Sequence, residues 1–211
     1  MSQLDARPLL FVISGPSGSG KGTALRWLAD FDGMHRVSTY TTRAPRAEER
    51  DGVDYHFVAE EDFFKLHDSG EIFEYTRTYS DSYYGSPRAL LDVDDLAPQV
   101  VELDPAGFVR LSAISGRRVV GLFITTNSEE ELRERIIARG QGAEVENRLR
   151  IRTQQSTWAW MYQYVLVNDV REDFLENLTT VVKSELLRTF GARRMLELRK
   201  ELDPTLNADK A

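Results

Sequence analysis

The sequence has no cysteine, which excludes a disulfide framework and thiolate chemistry and leaves only oxygen and histidine ligands for a metal. No apolar run approaches the roughly 20 residues that cross a bilayer. The start, Met1-Ser2-Gln3-Leu4-Asp5, lacks the basic-then-apolar form of a secretory signal. A cytoplasmic protein without a membrane partner is therefore expected. Positive charge is also short: 27 Lys and Arg stand against 34 Asp and Glu, a formal net charge of -7. No whole-surface attraction for nucleic acid follows from that balance, and none is expected as a partner. Internal repeats and low-complexity tracts are absent, and only the stretch after Pro204 has a composition suited to disorder.

What remains is a globular chain of 211 residues, 41% hydrophobic, enough for one domain with a buried core. Its most informative stretch is Gly15-Pro16-Ser17-Gly18-Ser19-Gly20-Lys21-Gly22-Thr23, which follows the apolar run Leu9 to Ile13 and precedes a segment of helical spacing. Glycines at a strand-to-helix junction turn the backbone amides inward, and the helix N-terminus adds partial positive charge, which suits a bound phosphate. Lys21 is then placed to reach phosphate oxygens. The general pattern asks for Ser or Thr directly after the Lys, whereas Gly22 intervenes before Thr23.

Along the chain, Leu9 to Ile13 reads as a buried strand and Lys21 to Asp30 as a helix with Ala24, Leu25 and Leu28 on one face. A short strand is expected over Arg36 to Tyr40, followed by the basic run Thr41-Thr42-Arg43-Ala44-Pro45-Arg46. Val53 to Val58 alternates like a strand, Glu60 to Asp68 like a short amphipathic helix, and Gly70 precedes Ile72 to Tyr75. These short elements predict an inserted α+β subdomain over about 38–88 within a core of about 8–37 and 89–190. Val100 to Asp104 and Val119 to Thr125 read as further core strands, with Pro105 in the first turn of one helix and Asn127-Ser128 capping another. Helical spacing from Val145 towards Tyr162, a strand at Tyr164 to Val167, a closing helix from Phe174 to Leu187 and a solvated helical tail over about 191–211 complete the reading. Strands alternating with helices around a phosphate loop predict a three-layer α/β core with a mainly parallel sheet.

Six ordered motifs now carry a resemblance to the guanylate kinase family: Gly15-Pro16-Ser17-Gly18 with Gly20 to Thr23, Thr41 to Arg46, Asp51 to Phe57, Tyr83-Tyr84-Gly85-Ser86, Arg139-Gly140 and Val167-Asn168-Asp169. The resemblance covers roughly Leu9 to Leu186. It implies ATP-dependent phosphorylation of GMP or dGMP, a GMP-binding subdomain and an arginine-bearing lid at about 139–149. It places Gly15 to Thr23, with Asn168 near adenine, on ATP, and Arg43, Arg46, Tyr55 and Tyr84 on the GMP phosphate. Two guanidinium forks and two phenols suit a phosphate dianion. By the same resemblance Glu74 reads the N1 and N2 hydrogens of guanine, Thr39 and Ser86 supply hydroxyls near the base, and Asp104 faces the guanine nucleotide.

Lys21, Arg43, Arg135, Arg139 and Arg148 are the implied catalytic cations, with Arg152 a further lid candidate and Gly140 and Gly142 a hinge. Mg²⁺ is expected with ATP, Thr23 being the nearest hydroxyl and Glu102 or Asp104 outer ligands. A monomer or homodimer is expected.

The chain departs from the family pattern at Val37 to Tyr40, where a phenol is added, at Asp81-Ser82 in place of Gly-Asn, and at Pro105-Ala106-Gly107. The segment from Ser86 to Val100 is also shorter than usual, running through Asp92-Val93-Asp94-Asp95. These departures leave two alternatives: a kinase for another monophosphate or a phosphosugar, and a non-catalytic module that grips a phosphopeptide.

Overall fold

Strand β1, Leu9–Ser14, is buried along all six residues, as an uninterrupted apolar run between two strands requires. The structure is a computed structural model that describes residues 3–31, 33–78, 81–138 and 145–202. β1 is the centre of a five-stranded sheet of order β2-β7-β1-β8-β9, all parallel. Its partners are β2 (His35–Arg36), β7 (Gln99–Glu102), β8 (Arg118–Thr125) and β9 (Tyr164–Val167).

Alternation along β1 feeds two cores. Leu9, Phe11 and Ile13 pack with Ala24, Leu25 and Leu28 of α1 (Lys21–Ala29) and with Phe174, Leu178 and Val182 of α6 (Arg171–Leu202). Leu10 and Val12 face Phe108 and Leu111 of α3 (Pro105–Ile114), with Phe123 and Tyr162. The result is the expected three-layer α/β arrangement. Two further helices, α4 (Glu129–Ala138) and α5 (Val145–Ser156), share a small cluster of Leu132, Val145 and Leu149.

A second sheet, of order β4-β3-β6-β5, is formed by β3 (Thr39–Thr41), β4 (Tyr55–Phe57), β5 (Ile72–Arg77) and β6 (Tyr83–Pro87). Helix α2 (Glu60–Asp68) covers one face, with Phe63 fully buried and its ring 5.9 Å from Tyr75 and 5.7 Å from Tyr83. Glu60, Glu61 and Asp62 occupy the first turn of α2, where the helix dipole favours negative charge.

Several boundaries differ from the sequence reading. The strand expected over Arg36 to Tyr40 is split between two sheets. Val37 still donates its amide to the Val100 carbonyl, but Ser38 turns its hydroxyl to the carbonyls of Gly52 and Val53 as the chain crosses. The strand expected over Val53 to Val58 shrinks to β4, because Gly52, Val53 and Asp54 donate their amides within a turn. Helix α5 stops at Ser156, and a 3₁₀ turn over Ala159–Met161 follows. The closing helix runs far beyond Leu187, to Leu202. Its extension is not a solvated tail throughout: Ala192 is buried, and Arg193 donates to the carbonyls of Ala6 and Leu96. The stretch after Pro204, where disorder is expected, lies outside the described residues.

The shortened segment after β6 is held by Arg117, a guanidinium only 3% exposed. It donates to the carbonyls of Asp92 at 2.6 Å, Asp95 at 3.0 Å and Ala97 at 3.4 Å. Removing that donor loses three hydrogen bonds from a charged donor, each worth about 1 kcal/mol net. Arg117→Met is therefore expected to lower unfolding free energy by about 3 kcal/mol, read from urea denaturation followed by circular dichroism.

Candidate active site

The carboxyl ends of the core strands converge on the glycine-rich loop, as expected for ligand crevices of open parallel sheets. Gly15 lies at φ +142 and Gly20 at φ +107. A Cβ at Gly15 would collide with the Ile124 carbonyl and one at Gly20 with the Asn168 side-chain nitrogen. Only glycine fits either position. Asn168, 8% exposed, donates its amide to the Ser19 carbonyl at 2.8 Å, so it braces the loop from behind. α1 begins directly after Gly20, with Thr23 in its first turn. Among the described residues the buried Ser19 hydroxyl oxygen has no hydrogen-bond partner. A buried polar atom is costly in that state, and a bound anion or water satisfies it.

Lys21 folds back over the loop, donating to the Gly15 carbonyl at 2.8 Å and the Pro16 carbonyl at 3.0 Å. Its Nζ also lies 3.6 Å from Glu102, at the end of β7. The same carboxylate acts on Tyr55 in the second sheet. Burial first and Glu102 next push the Tyr55 phenol well above its ordinary range, so it stays a proton donor at neutral pH.

Strand pairing sets the acceptor side. Thr39 lies opposite Tyr55, Thr41 opposite Tyr84, and Glu74 opposite Ser86. Directly paired residues share a face and successive ones alternate, so Thr39, Tyr55, Glu74, Tyr84 and Ser86 all lie on the face away from α2. Arg43 follows β3 and donates through Nε to the Tyr84 hydroxyl at 2.9 Å, and it forms a fork with Glu49 at 2.8 and 2.9 Å. Its guanidinium lies 5.4 Å from the Tyr55 ring centroid. Arg46 reaches Glu49 at 3.6 Å and leaves its own side chain half-exposed.

At the other end of this face, Glu74 accepts from the Ser86 hydroxyl through Oε1 and from Arg110 through Oε2 at 3.0 Å. Asp104 caps α3, its Oδ1 accepting the Gly107 amide at 2.7 Å. Both carboxylates border Gly107, whose Cβ position is 3.2 Å from Asp104 Oδ1 and from Glu74 Oε1. Between Ile72 and Glu74 the register shifts. Phe73 thereby packs on the core cluster around Phe108 while Glu74 remains opposite Ser86.

Two of the departures noted in the sequence, Tyr40 and Asp81, fall away from this face, whereas Gly107 of a third borders both Glu74 and Asp104. Tyr40 points to the opposite side, its hydroxyl 3.3 Å from Glu71 and its ring 4.8 Å from His56. Asp81 sits at φ +57 in an exposed turn, paired with Arg77 at 3.1 Å.

The family model for guanylate kinase matches residues 7–185. The chain belongs to the guanylate kinase family. It is 36% identical over 188 residues to a guanylate kinase of Chlamydia felis, covering 84% of this chain and 89% of that protein. It is 35% identical to one from Ruegeria pomeroyi, covering 87% and 89%. The crystal structure of guanylate kinase from Anaplasma phagocytophilum superposes with a TM-score of 0.72 at 30% identity, over 94% of this chain and 98% of that one.

Of the lid expectations for a guanylate kinase, Arg139, Gly140 and Gly142 lie outside the described residues, as do the side chains of Arg135, Arg148 and Arg152. Two residues that touch the expected site were missed by the sequence reading. Glu49 had a signal, an acid three residues after Arg46, which closes the basic run. Arg110 had none, because its partner is 36 residues away.

Burial would raise the Glu49 carboxyl, but hydrogen bonds from Arg43 and the Arg46 amide hold it below the ordinary carboxylate value. Its stabilisation is therefore complete above the unfolded value of about 4.3 and lost as pH falls through the folded one. Glu49→Gln is expected to lose this acid-side dependence, so that its urea midpoint falls less than that of the unaltered protein between about pH 6 and pH 3.

Proposed function

We propose that this guanylate kinase family member transfers the γ-phosphoryl group of ATP to GMP, or to dGMP, giving ADP and GDP in the cytoplasm. The observation that carries the choice of acceptor is the pairing of Glu74 and Asp104 around Gly107, with Ser86 on Glu74. Guanine offers N1 and N2 hydrogens on one edge, which two carboxylates accept. Adenine offers a bare N1 there, and a buried charged acceptor left unpaired costs more than the 1 to 3 kcal/mol or so of a neutral one.

Arg43, Arg46, Tyr55 and Tyr84 take the GMP phosphate in this reading. Tyr55 and Tyr84 contribute hydroxyl donors, and Arg43 is already oriented by Glu49 and Tyr84. The loop amides, Lys21 and the Ser19 hydroxyl take the ATP phosphates. A GMP phosphate oxygen attacks the γ-phosphorus, the bond to the β,γ-bridging oxygen breaks, and the electron pair leaves on ADP. The nucleophile is already an anion, so no general base is needed. Lys21, with arginines of the lid, neutralises charge on the group in flight.

Among the described residues no three His, Asp or Glu converge as a metal cage, which fits a cation carried mainly by nucleotide phosphates. Thr23, in the first turn of α1, would supply a hydroxyl to Mg²⁺, and Glu102 beside Lys21 an outer-sphere carboxylate. When bound, Mg²⁺ neutralises and orients the ATP phosphates.

Release of ADP from ATP and Mg²⁺, measured over a panel of monophosphates, is expected with GMP and dGMP well ahead of AMP. Glu74→Ala should lower kcat/KM for GMP by about 100-fold while leaving KM for ATP in place. Absence of turnover with GMP and dGMP would overturn the proposal.

A further inference from the structure

Arg110 belongs to neither group of residues used above, yet it touches the base-reading carboxylate directly. It projects from α3, a core helix, and its Nη1 donates at 3.0 Å to Glu74 Oε2 and at 3.0 Å to the Tyr75 carbonyl, both on β5 of the second sheet. Glu74 is only 9% exposed, while Arg110 is 53% exposed. The pair is thus a buried carboxylate reached by a guanidinium that keeps part of itself in water.

A carboxylate has about four lone-pair sites. In Glu74 one site on Oε1 accepts the Ser86 hydroxyl and one on Oε2 accepts Arg110. Each oxygen therefore retains an acceptor site, and the two donors fix the plane in which those sites lie. Charge-assisted bonds at both oxygens leave the side chain one orientation rather than several. Because Arg110 also holds the Tyr75 carbonyl, it fixes the strand as well as the side chain. Ser86 acts from within the same sheet, whereas Arg110 acts from the helix that Asp104 caps. It therefore sets Glu74 in register with Asp104.

We infer that Arg110 is a positioning residue for purine selection: it holds Glu74 so that the two free acceptor sites face the N1 and N2 hydrogens of guanine. This rests on the reading of GMP as acceptor. A residue that only ties the sheets together would affect all substrates alike, whereas one that aims Glu74 affects the base and leaves ATP alone. The exposed half of the ion pair adds little stability, so the folded state survives its removal.

The test compares Arg110→Ala and Arg110→Lys with the unaltered protein, using steady-state kinetics with GMP and IMP and direct calorimetric titration of GMP without ATP. IMP lacks the 2-amino group and so reports on the N2 contact. For Arg110→Ala we expect KM and Kd for GMP to rise about tenfold, the GMP-over-IMP preference to shrink by a similar factor, and KM for ATP to stay within about twofold. Arg110→Lys, which restores a charged donor on a shorter reach, should recover part of the loss. Unchanged GMP binding and preference in Arg110→Ala would overturn the inference, as would equal losses towards GMP, IMP and ATP. If the unaltered protein neither binds nor phosphorylates GMP, the acceptor assignment itself fails, and this inference with it.

Discussion

A strand buried on both faces has no room for charge, so the chemistry of this protein collects where the strands end. β1 is buried throughout and flanked by β7 and β8. The residues of the candidate site lie at its carboxyl end. Ile13 is in register with Glu102, and Thr125 with Val167, just before Asn168. Lys21 meets Glu102 at 3.6 Å, and Asn168 holds the Ser19 carbonyl at 2.8 Å. The loop geometry is thus fixed by the parallel register of the sheet beneath it. Positive φ at Gly15 and Gly20 is how the backbone complies.

The second sheet obeys a different constraint, the twofold alternation of side chains. One face is committed to α2 through Phe63, Tyr75 and Tyr83. The other is left to Thr39, Tyr55, Glu74, Tyr84 and Ser86. A one-residue slip would exchange the two sets entirely, so burial of the aromatic face specifies the polar one. Tyr40 enlarges the aromatic face by stacking near His56. Asp81 occupies a left-handed turn position, which Asp tolerates better than most residues.

The core was legible because its strands are continuous apolar runs and its helices carry apolar residues at helical spacing, as in Ala24, Leu25 and Leu28. The second sheet was legible only as a region. Its strands are three to six residues long, too short for alternation to fix their ends, and the chain changes sheets within two residues at Val37 and Ser38. Helix α6 was underestimated because its far end is held by Arg193 on Ala6 and Leu96, contacts that no local pattern announces. The same reason hides Arg110, while the loop and Arg43 stand out because their neighbours in sequence complete a motif, and Glu74 stands out through the family resemblance.

What joins the two sheets decides how the acceptor side meets the donor side. Phe73 is an apolar anchor in the core cluster around Phe108. Around it the links are polar: Arg36 to Asp54 at 3.2 Å, Arg110 to Glu74 at 3.0 Å, and Glu102 between Lys21 and Tyr55. Apolar anchors resist sliding, because each buried side chain is worth about 1.5 to 3 kcal/mol. Partly exposed ion pairs are worth about 1 kcal/mol or less and exchange partners readily. Under the proposed function, a phosphate dianion between Arg43 and Lys21 would compete with Glu49 and Glu102 for the same cations. Of these two contacts the fork between Arg43 and Glu49, both side chains largely buried, is the firmer, and that of Lys21 with Glu102 at 3.6 Å the looser.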